Sequence, residues 1–194
     1  MRASALIKNE TKYRAFMKSQ IFCVILALSS TQEVIAASPE KAAGEIVGKI
    51  DALTMALFLH EANAAYAKGD FGEARRKFQW LAERGNPEAQ LGLGTIYEEG
   101  KEVPRKYEEA MVWYSMAARQ GSAQAQVRLA RMYFFGRHVP QDNFLAYVWL
   151  YLAAAQGNET GRRNRDKVAE LMSHEQLEEA RKLALEWMGK YNKQ

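Results

Sequence analysis

The stretch PEAQLGLGTIYEEGKEVPRKYEEAMVWYSMAARQGS at residues 87–122 runs directly into AQAQVRLARMYFFGRHVPQDNFLAYVWLYLAAAQGN at residues 123–158. Set against each other at a shift of 36, the two are identical at 14 positions, where ordinary amino-acid frequencies would give about two. The matches include Ala89/Ala125, Gln90/Gln126, Leu93/Leu129, Tyr97/Tyr133, Gly100/Gly136, Val103/Val139 and Pro104/Pro140. They continue through Ala110/Ala146, Trp113/Trp149, Ala117/Ala153, Ala118/Ala154 and Gly121/Gly157. An internal repeat of this length decides the architecture before any single residue is considered.

Each unit reads as two helices. Ala110, Trp113, Tyr114, Ala117 and Ala118 fall at i, i+3, i+4, i+7 and i+8 and make one apolar stripe. Ala89, Leu93, Ile96 and Tyr97 form the matching stripe on the helix before. Gly100 and Gly136 stand where those first helices must end with positive φ, and Gly85, Gly121 and Gly157 end the second ones in the same way. Pro104 and Pro140 fall in the connecting loops, which are short enough to make neighbouring helices antiparallel. A pair of this kind cannot bury its stripes alone, whereas stacked pairs can.

The register extends backwards. Leu57, Ala74, Ala82 and Gly85 stand 36 residues before Leu93, Ala110, Ala118 and Gly121, so residues 51–86 read as a degenerate first unit. Beyond Gly161 the register fades, and residues 159–194 read as C-terminal capping helices. Ser173-His174-Glu175-Gln176 has the spacing of a capping box, and the helix it opens carries Leu177, Ala180, Leu183, Ala184 and Trp187 on one stripe.

The N-terminal residues 1–37 have the order of a secretory signal peptide. Arg2, Lys8, Lys12, Arg14 and Lys18 precede an apolar run from Ile21 to Leu28, and Val34-Ile35-Ala36-Ala37 supplies a cleavage region after Ala36. Eight apolar residues rise only about 12 Å as helix against a hydrocarbon core of about 30 Å, which argues against a membrane span. Translation from Met17 would give a signal of ordinary length, and residues 38–50 then serve as a short linker or helix lead-in. Without residues 1–36, which carry five basic and two acidic side chains, 22 basic and 21 acidic groups remain, a net of +1. The high pI therefore belongs mostly to the export segment, and no nucleic-acid partner is expected. The single cysteine, Cys23, leaves with that segment, so the mature chain has neither a disulfide nor a thiol nucleophile.

The residues quoted resemble the Sel1-like repeat, a relative of the tetratricopeptide repeat. Its pattern is roughly A-x-A-x-x-x-L-G-x-x-Y-x-x-G, then G-V-P, then A-x-x-W-Y-x-x-A-A-x-x-G. This chain departs at Ala130, where the pattern has Gly, and at Glu102 and His138, which take the place of the Gly before Val-Pro. These departures read as conservative. The resemblance implies an all-α fold, a right-handed α/α superhelix (solenoid) of antiparallel helix pairs. It also implies a non-catalytic adaptor or scaffold for a protein or peptide, periplasmic or secreted, in the manner of exported bacterial Sel1-like proteins. Some disulfide-rich relatives have been linked to β-lactam binding, but this chain lacks their cysteine pairs.

Catalytic readings find little to stand on. His60-Glu61 begins like a zinc-protease motif, but position 64 is Ala64, so the second ligand is missing. His138 and His174 have no Cys, His or Asp cluster near them in sequence, so neither metal nor cofactor is expected. Gly92-Leu93-Gly94 lacks the preceding strand and third glycine of a dinucleotide loop. Glu98-Glu99 and Glu108-Glu109 are adjacent on helices and point apart, as a solvated face does. Arg162-Arg163-Asn164-Arg165 is diluted by Glu159, Asp166 and Glu170, and Asn158 begins a sequon that matters only in a glycosylating host. The alternative function is a periplasmic enzyme or peptidoglycan-acting accessory.

In solenoids of this kind the first helix of each pair lines the concave groove. Once the apolar stripe is set aside, Leu91, Thr95, Glu98 and Glu99 are left facing that groove in one unit, and Val127, Arg131, Phe134 and Phe135 in the next. Two phenylalanines in place of two glutamates are the largest difference between the copies, and they would suit a peptide or partner helix of mixed character.

Overall fold

A computed structural model of the protein describes the backbone of residues 39–191 and the side chains of 44–190. The expected export segment, 1–37, lies outside these. The described elements are α1 (Pro39–Lys68), α2 (Phe71–Ala82), α3 (Pro87–Glu99), α4 (Tyr107–Arg119), α5 (Ala123–Phe135), α6 (Asn143–Ala155), α7 (Glu159–Ala169) and α8 (His174–Tyr191). No strand occurs among the described residues. The described residues divide into two units, with the boundary between Leu53 and Thr54. The described part of the first is helical throughout, with Val47 and Leu53 exposed. The second contains the repeats.

In that second unit each helix packs on the next along the chain from α2 to α7, and α8 packs back onto α6. The stripes are buried as the 3.6-residue period requires. Ala89, Leu93 and Ile96 on α3 and Ala110, Tyr114, Ala117 and Ala118 on α4 are fully buried. Ala125, Leu129 and Met132 on α5 meet Ala146, Val148, Trp149 and Leu152 on α6 in the same fashion. The Trp149 and Trp187 rings meet at a tilt of 58° with centroids 4.9 Å apart, which fastens α8 over the end of the array. At the other end Phe58 and Trp80 lie 4.9 Å apart between α1 and α2.

The turns repeat in atomic detail. Gly85, Gly121 and Gly157 adopt φ of 85°, 88° and 81° after α2, α4 and α6. The next residue in each case, Asn86, Ser122 or Asn158, donates its backbone N–H to the carbonyl of Leu81, Ala117 or Ala153 at 3.0–3.1 Å, the six-to-one bond of a Schellman motif. The side chain of that same residue then caps the following helix, accepting from the N–H of Ala89, Ala125 or Gly161. One residue thus closes one helix and opens the next. Asn158, the sequon residue, is committed to this cap. The capping box before α8 is reciprocal: Ser173 N–H donates to Gln176 Oε1 at 3.0 Å, and Gln176 N–H donates to Ser173 Oγ at 3.2 Å.

Buried glutamines join one pair to the next. Gln90 Nε2 donates to the Ala82 carbonyl at 3.2 Å while its Oε1 accepts from Gln120 Nε2 at 2.8 Å. One unit later, Gln126 donates to the Ala118 carbonyl at 3.1 Å and accepts from Gln156 at 2.9 Å. Gln90 and Gln126 are 0% and 2% exposed. A buried amide without partners costs about 1–3 kcal/mol, so this arrangement rewards only the stacked register.

Three departures from the family pattern acquire a physical reading. Glu102 and His138 adopt φ of 55° and 66°, the left-handed conformation that the pattern's glycine reaches freely. A side chain there costs about 1–2 kcal/mol, so these replacements are strained and not conservative. Ala130 has a different explanation. A Cβ on the equivalent Gly94 would lie 2.6 Å from the Tyr114 ring and 3.2 Å from the Ala110 carbonyl. The second copy carries Leu150 where the first has Tyr114, and the smaller partner makes room for alanine.

Gly94→Ala is therefore expected to destabilise the protein by about 2 kcal/mol through overpacking. Combined with Tyr114→Leu it should cost less than the sum of the two single changes, measured as a double-mutant cycle by urea denaturation. Strict additivity would contradict the steric pairing.

Candidate partner-binding face

The first helices α1, α3 and α5 communicate through polar side chains along one face. Asn63 on α1 donates to Glu88 on α3 at 2.9 Å, and the Tyr66 hydroxyl donates to Glu99 Oε2 at 2.9 Å. Burial, and then the bond and charge of Glu99, push the Tyr66 phenol up to about 12. Glu99 also lies 3.6 Å from Lys101 Nζ.

From α3 to α5 the link is ionic. Glu98 is buried, its side chain only 4% exposed. Its Oε1 accepts from Arg131 at 2.7 Å and from Arg137 at 3.2 Å, while Oε2 accepts from the Tyr114 hydroxyl at 2.9 Å and from Arg128 at 3.4 Å. Burial alone would raise the carboxyl. The Arg131 and Tyr114 hydrogen bonds, with the Arg131 and Arg128 charges, overcome it and hold Glu98 below the usual carboxylate range. Burial and the Glu98 charge in turn push the Tyr114 phenol upward. The Arg131 Nε is buried and finds no acceptor among the described residues.

The eight side chains expected on the groove fall into distinct environments. Glu98 and Arg131 are brought into direct contact, and Thr95 joins them through Tyr114, whose hydroxyl lies 3.3 Å from Thr95 Oγ1. Glu99 is half-buried and tied to Tyr66. Leu91 and Val127 are half-buried against the core. Phe134 also packs on the core, and Phe135 meets it edge-on at 5.0 Å with 60% of its own surface exposed. Arg137 sits 5.5 Å from the Phe135 ring and 5.8 Å from Tyr107, and Arg105 lies 5.8 Å from the same tyrosine. Arg128, Arg137 and Tyr107 were not singled out by the sequence reading. Two of them stand outside α5 altogether, and Arg128 occupies the position of Gly92 in the first copy, so the repeat gave no signal for it.

Elsewhere the charges are dispersed. Arg162, Arg163 and Arg165 are paired with Glu159 and Asp166 along α7. His138 Nε2 is 3.7 Å from Glu108 Oε2, and His60 lies exposed on α1. Among the described residues no group of three or more His, Cys, Asp or Glu could hold a metal ion, and no helix is long and apolar enough to cross a membrane.

Glu98→Gln is expected to cost about 2 kcal/mol at neutral pH, because a buried acceptor of four donors loses its charge. Since the folded-state pKa is depressed, this stabilisation is present above the unfolded carboxylate value of about 4.3 and is lost as pH falls through the lower folded value. Urea titrations at pH 7 and pH 3 should show the difference between wild type and variant shrinking in acid. A constant difference would contradict the assignment.

Comparison with known proteins places this geometry in a family. The Sel1 repeat model matches residues 87–122 and 123–158. Among solved structures, the chain is similar to c5321, a protective antigen present in uropathogenic Escherichia coli strains that displays an SLR fold. The TM-score is 0.68 and the identity 25%, over 84% of this chain and 36% of that one. It thus spans about a third of the length of c5321. It is also similar to a Sel1 repeat protein from Oxalobacter formigenes, with TM-score 0.54 and 32% identity, over 66% of this chain and 98% of that chain. No curated protein matches the chain. Sel1 repeats are generally protein-interaction scaffolds. With two tandem copies of the motif, an all-helical solenoid and these structural neighbours, the chain belongs to the Sel1 repeat family.

Proposed function

We propose that the chain is a non-catalytic scaffold of the bacterial envelope that holds a protein or peptide partner on the face formed by the first helices of its pairs. The observation that carries this reading is the contrast between what repeats and what varies. The alanine, leucine and tryptophan positions of the stripes, the turn glycines and the buried glutamines recur from α3–α4 to α5–α6. The face positions Leu91, Thr95, Glu98 and Glu99 are replaced by Val127, Arg131, Phe134 and Phe135. A scaffold needs its packing residues constant and can individualise the rest. Phe135 is the clearest case, a large apolar ring left 60% exposed beside a guanidinium. Aromatic side chains of this kind are common anchors in interfaces.

The envelope location rests on the signal-like order of residues 1–37. Sequencing the N-terminus of protein isolated from cells is expected to begin at Ala37; an intact Met1 or Met17 would contradict export. With envelope extract as the source of partners, Phe135→Ala should lower recovery of the bound protein about fivefold or more without lowering thermal stability. Undiminished recovery would contradict the face assignment.

A further inference from the structure

Resting on the partner-binding reading above, we infer that Arg128, Arg131 and Arg137 anchor an acidic segment of the partner, a run of Asp or Glu side chains lying across α5. The charges at this point do not balance. Three guanidinium groups converge on one carboxylate, and the nearby Glu99 is matched by Lys101, so the cluster keeps two positive charges in excess. The signs are also segregated by depth. The Glu98 side chain is 4% exposed, whereas those of Arg128, Arg131 and Arg137 are 34%, 40% and 40% exposed.

Each guanidinium carries five N–H donors in a planar fork, and each spends one nitrogen on Glu98. Arg131 Nε is buried, but the remaining donors of the three half-exposed side chains suit carboxylates, which a guanidinium can engage in pairs. Glu98 occupies one nitrogen of each guanidinium and offsets one of the three positive charges, so its carboxylate competes with an acidic partner for the same donors. Tyr107 and Phe135 flank Arg137 within 5.8 Å and 5.5 Å, offering apolar contact to the side chains between the acids.

A protein segment fits this surface better than a nucleic acid does. Residues 37–194 carry a net charge of only +1, and the other arginine cluster, on α7, is neutralised by its own acids. A polyphosphate backbone calls for an extended basic stripe. This surface has one focus.

Fluorescence polarisation with the full-length protein tests the inference. The probes are a labelled Glu/Leu peptide, its Gln/Leu counterpart and a single-stranded oligonucleotide of the same net charge. The Glu/Leu peptide should bind at least about tenfold more tightly than the other two, with the advantage shrinking as salt is raised. The double variant Arg128→Gln/Arg137→Gln should lose about tenfold towards the acidic peptide, with its circular dichroism unchanged. Glu98→Gln should move the other way, binding about threefold more tightly, because it removes the internal counter-charge. Equal binding of the acidic and neutral peptides, tighter binding of the oligonucleotide, or weaker binding by Glu98→Gln in folded protein would overturn the inference. A partner whose recovery needs Phe135 but ignores both arginine changes would overturn the acidic anchor and leave the scaffold reading standing. Recovery of a partner indifferent to Phe135 and the arginines alike would remove both.

Discussion

The side-chain amides of Gln90 and Gln126 are the points at which one helix pair is fastened to the next. Each is buried, each donates to the last turn of the preceding second helix, and each accepts from a glutamine at the end of its own second helix. Hydrophobic stripes of Ala, Leu and Tyr supply most of the driving force for stacking, but they are tolerant of small slips. A buried amide is not tolerant. It finds both partners only when consecutive pairs sit at one register, so the glutamines turn a general tendency to associate into a repeated geometry. The turns work in concert with them. Because Asn86, Ser122 and Asn158 each end one helix and cap the next, the entry angle of every first helix is set by the exit of the helix before it.

That regularity frees the exposed face to differ. Where Phe134 and Phe135 stand in the second copy, the first has Glu98 and Glu99; Phe134 packs on the core while Phe135 stays largely exposed. Glu98 is the instructive exception. It lies at the end of α3, close enough to α5 to be covered, and survives burial as an anion because Tyr114 and three arginines surround it. The ionic link repeats in another chemistry what the glutamines do: it ties a first helix to the first helix of the following unit.

How much of this is legible in the sequence depends on the kind of interaction. The helix pairs of residues 87–158, their buried stripes and the positive φ of Gly100 and Gly136 follow from local spacing and steric rules and are found, whereas Leu57, in register with the buried Leu93, is 56% exposed on α1. Interactions that depend on the neighbouring unit are less accessible. Gln90 and Gln126 stand out as identical in the two copies, yet nothing in the spacing says that their amides cross to another helix. Glu98 reads as a surface acid because the arginines that bury it lie 30 to 39 residues away. The strain at Glu102 and His138 is visible only once φ is known, since both residue types are ordinary in polar loops. Ala130 makes sense only beside Leu150, a pairing between positions 20 residues apart that neither helix reveals alone.

The central claim is that a helix pair of this chain holds its shape only against its neighbours. Far-ultraviolet circular dichroism of the isolated peptide 87–122, set beside the intact protein, tests it most directly. The account predicts a largely unfolded peptide with no cooperative melt, because its two stripes and Gln90 have lost the surfaces that cover them, while the intact protein is strongly helical. A peptide that forms a stable helical hairpin by itself, with a cooperative thermal transition, would contradict it.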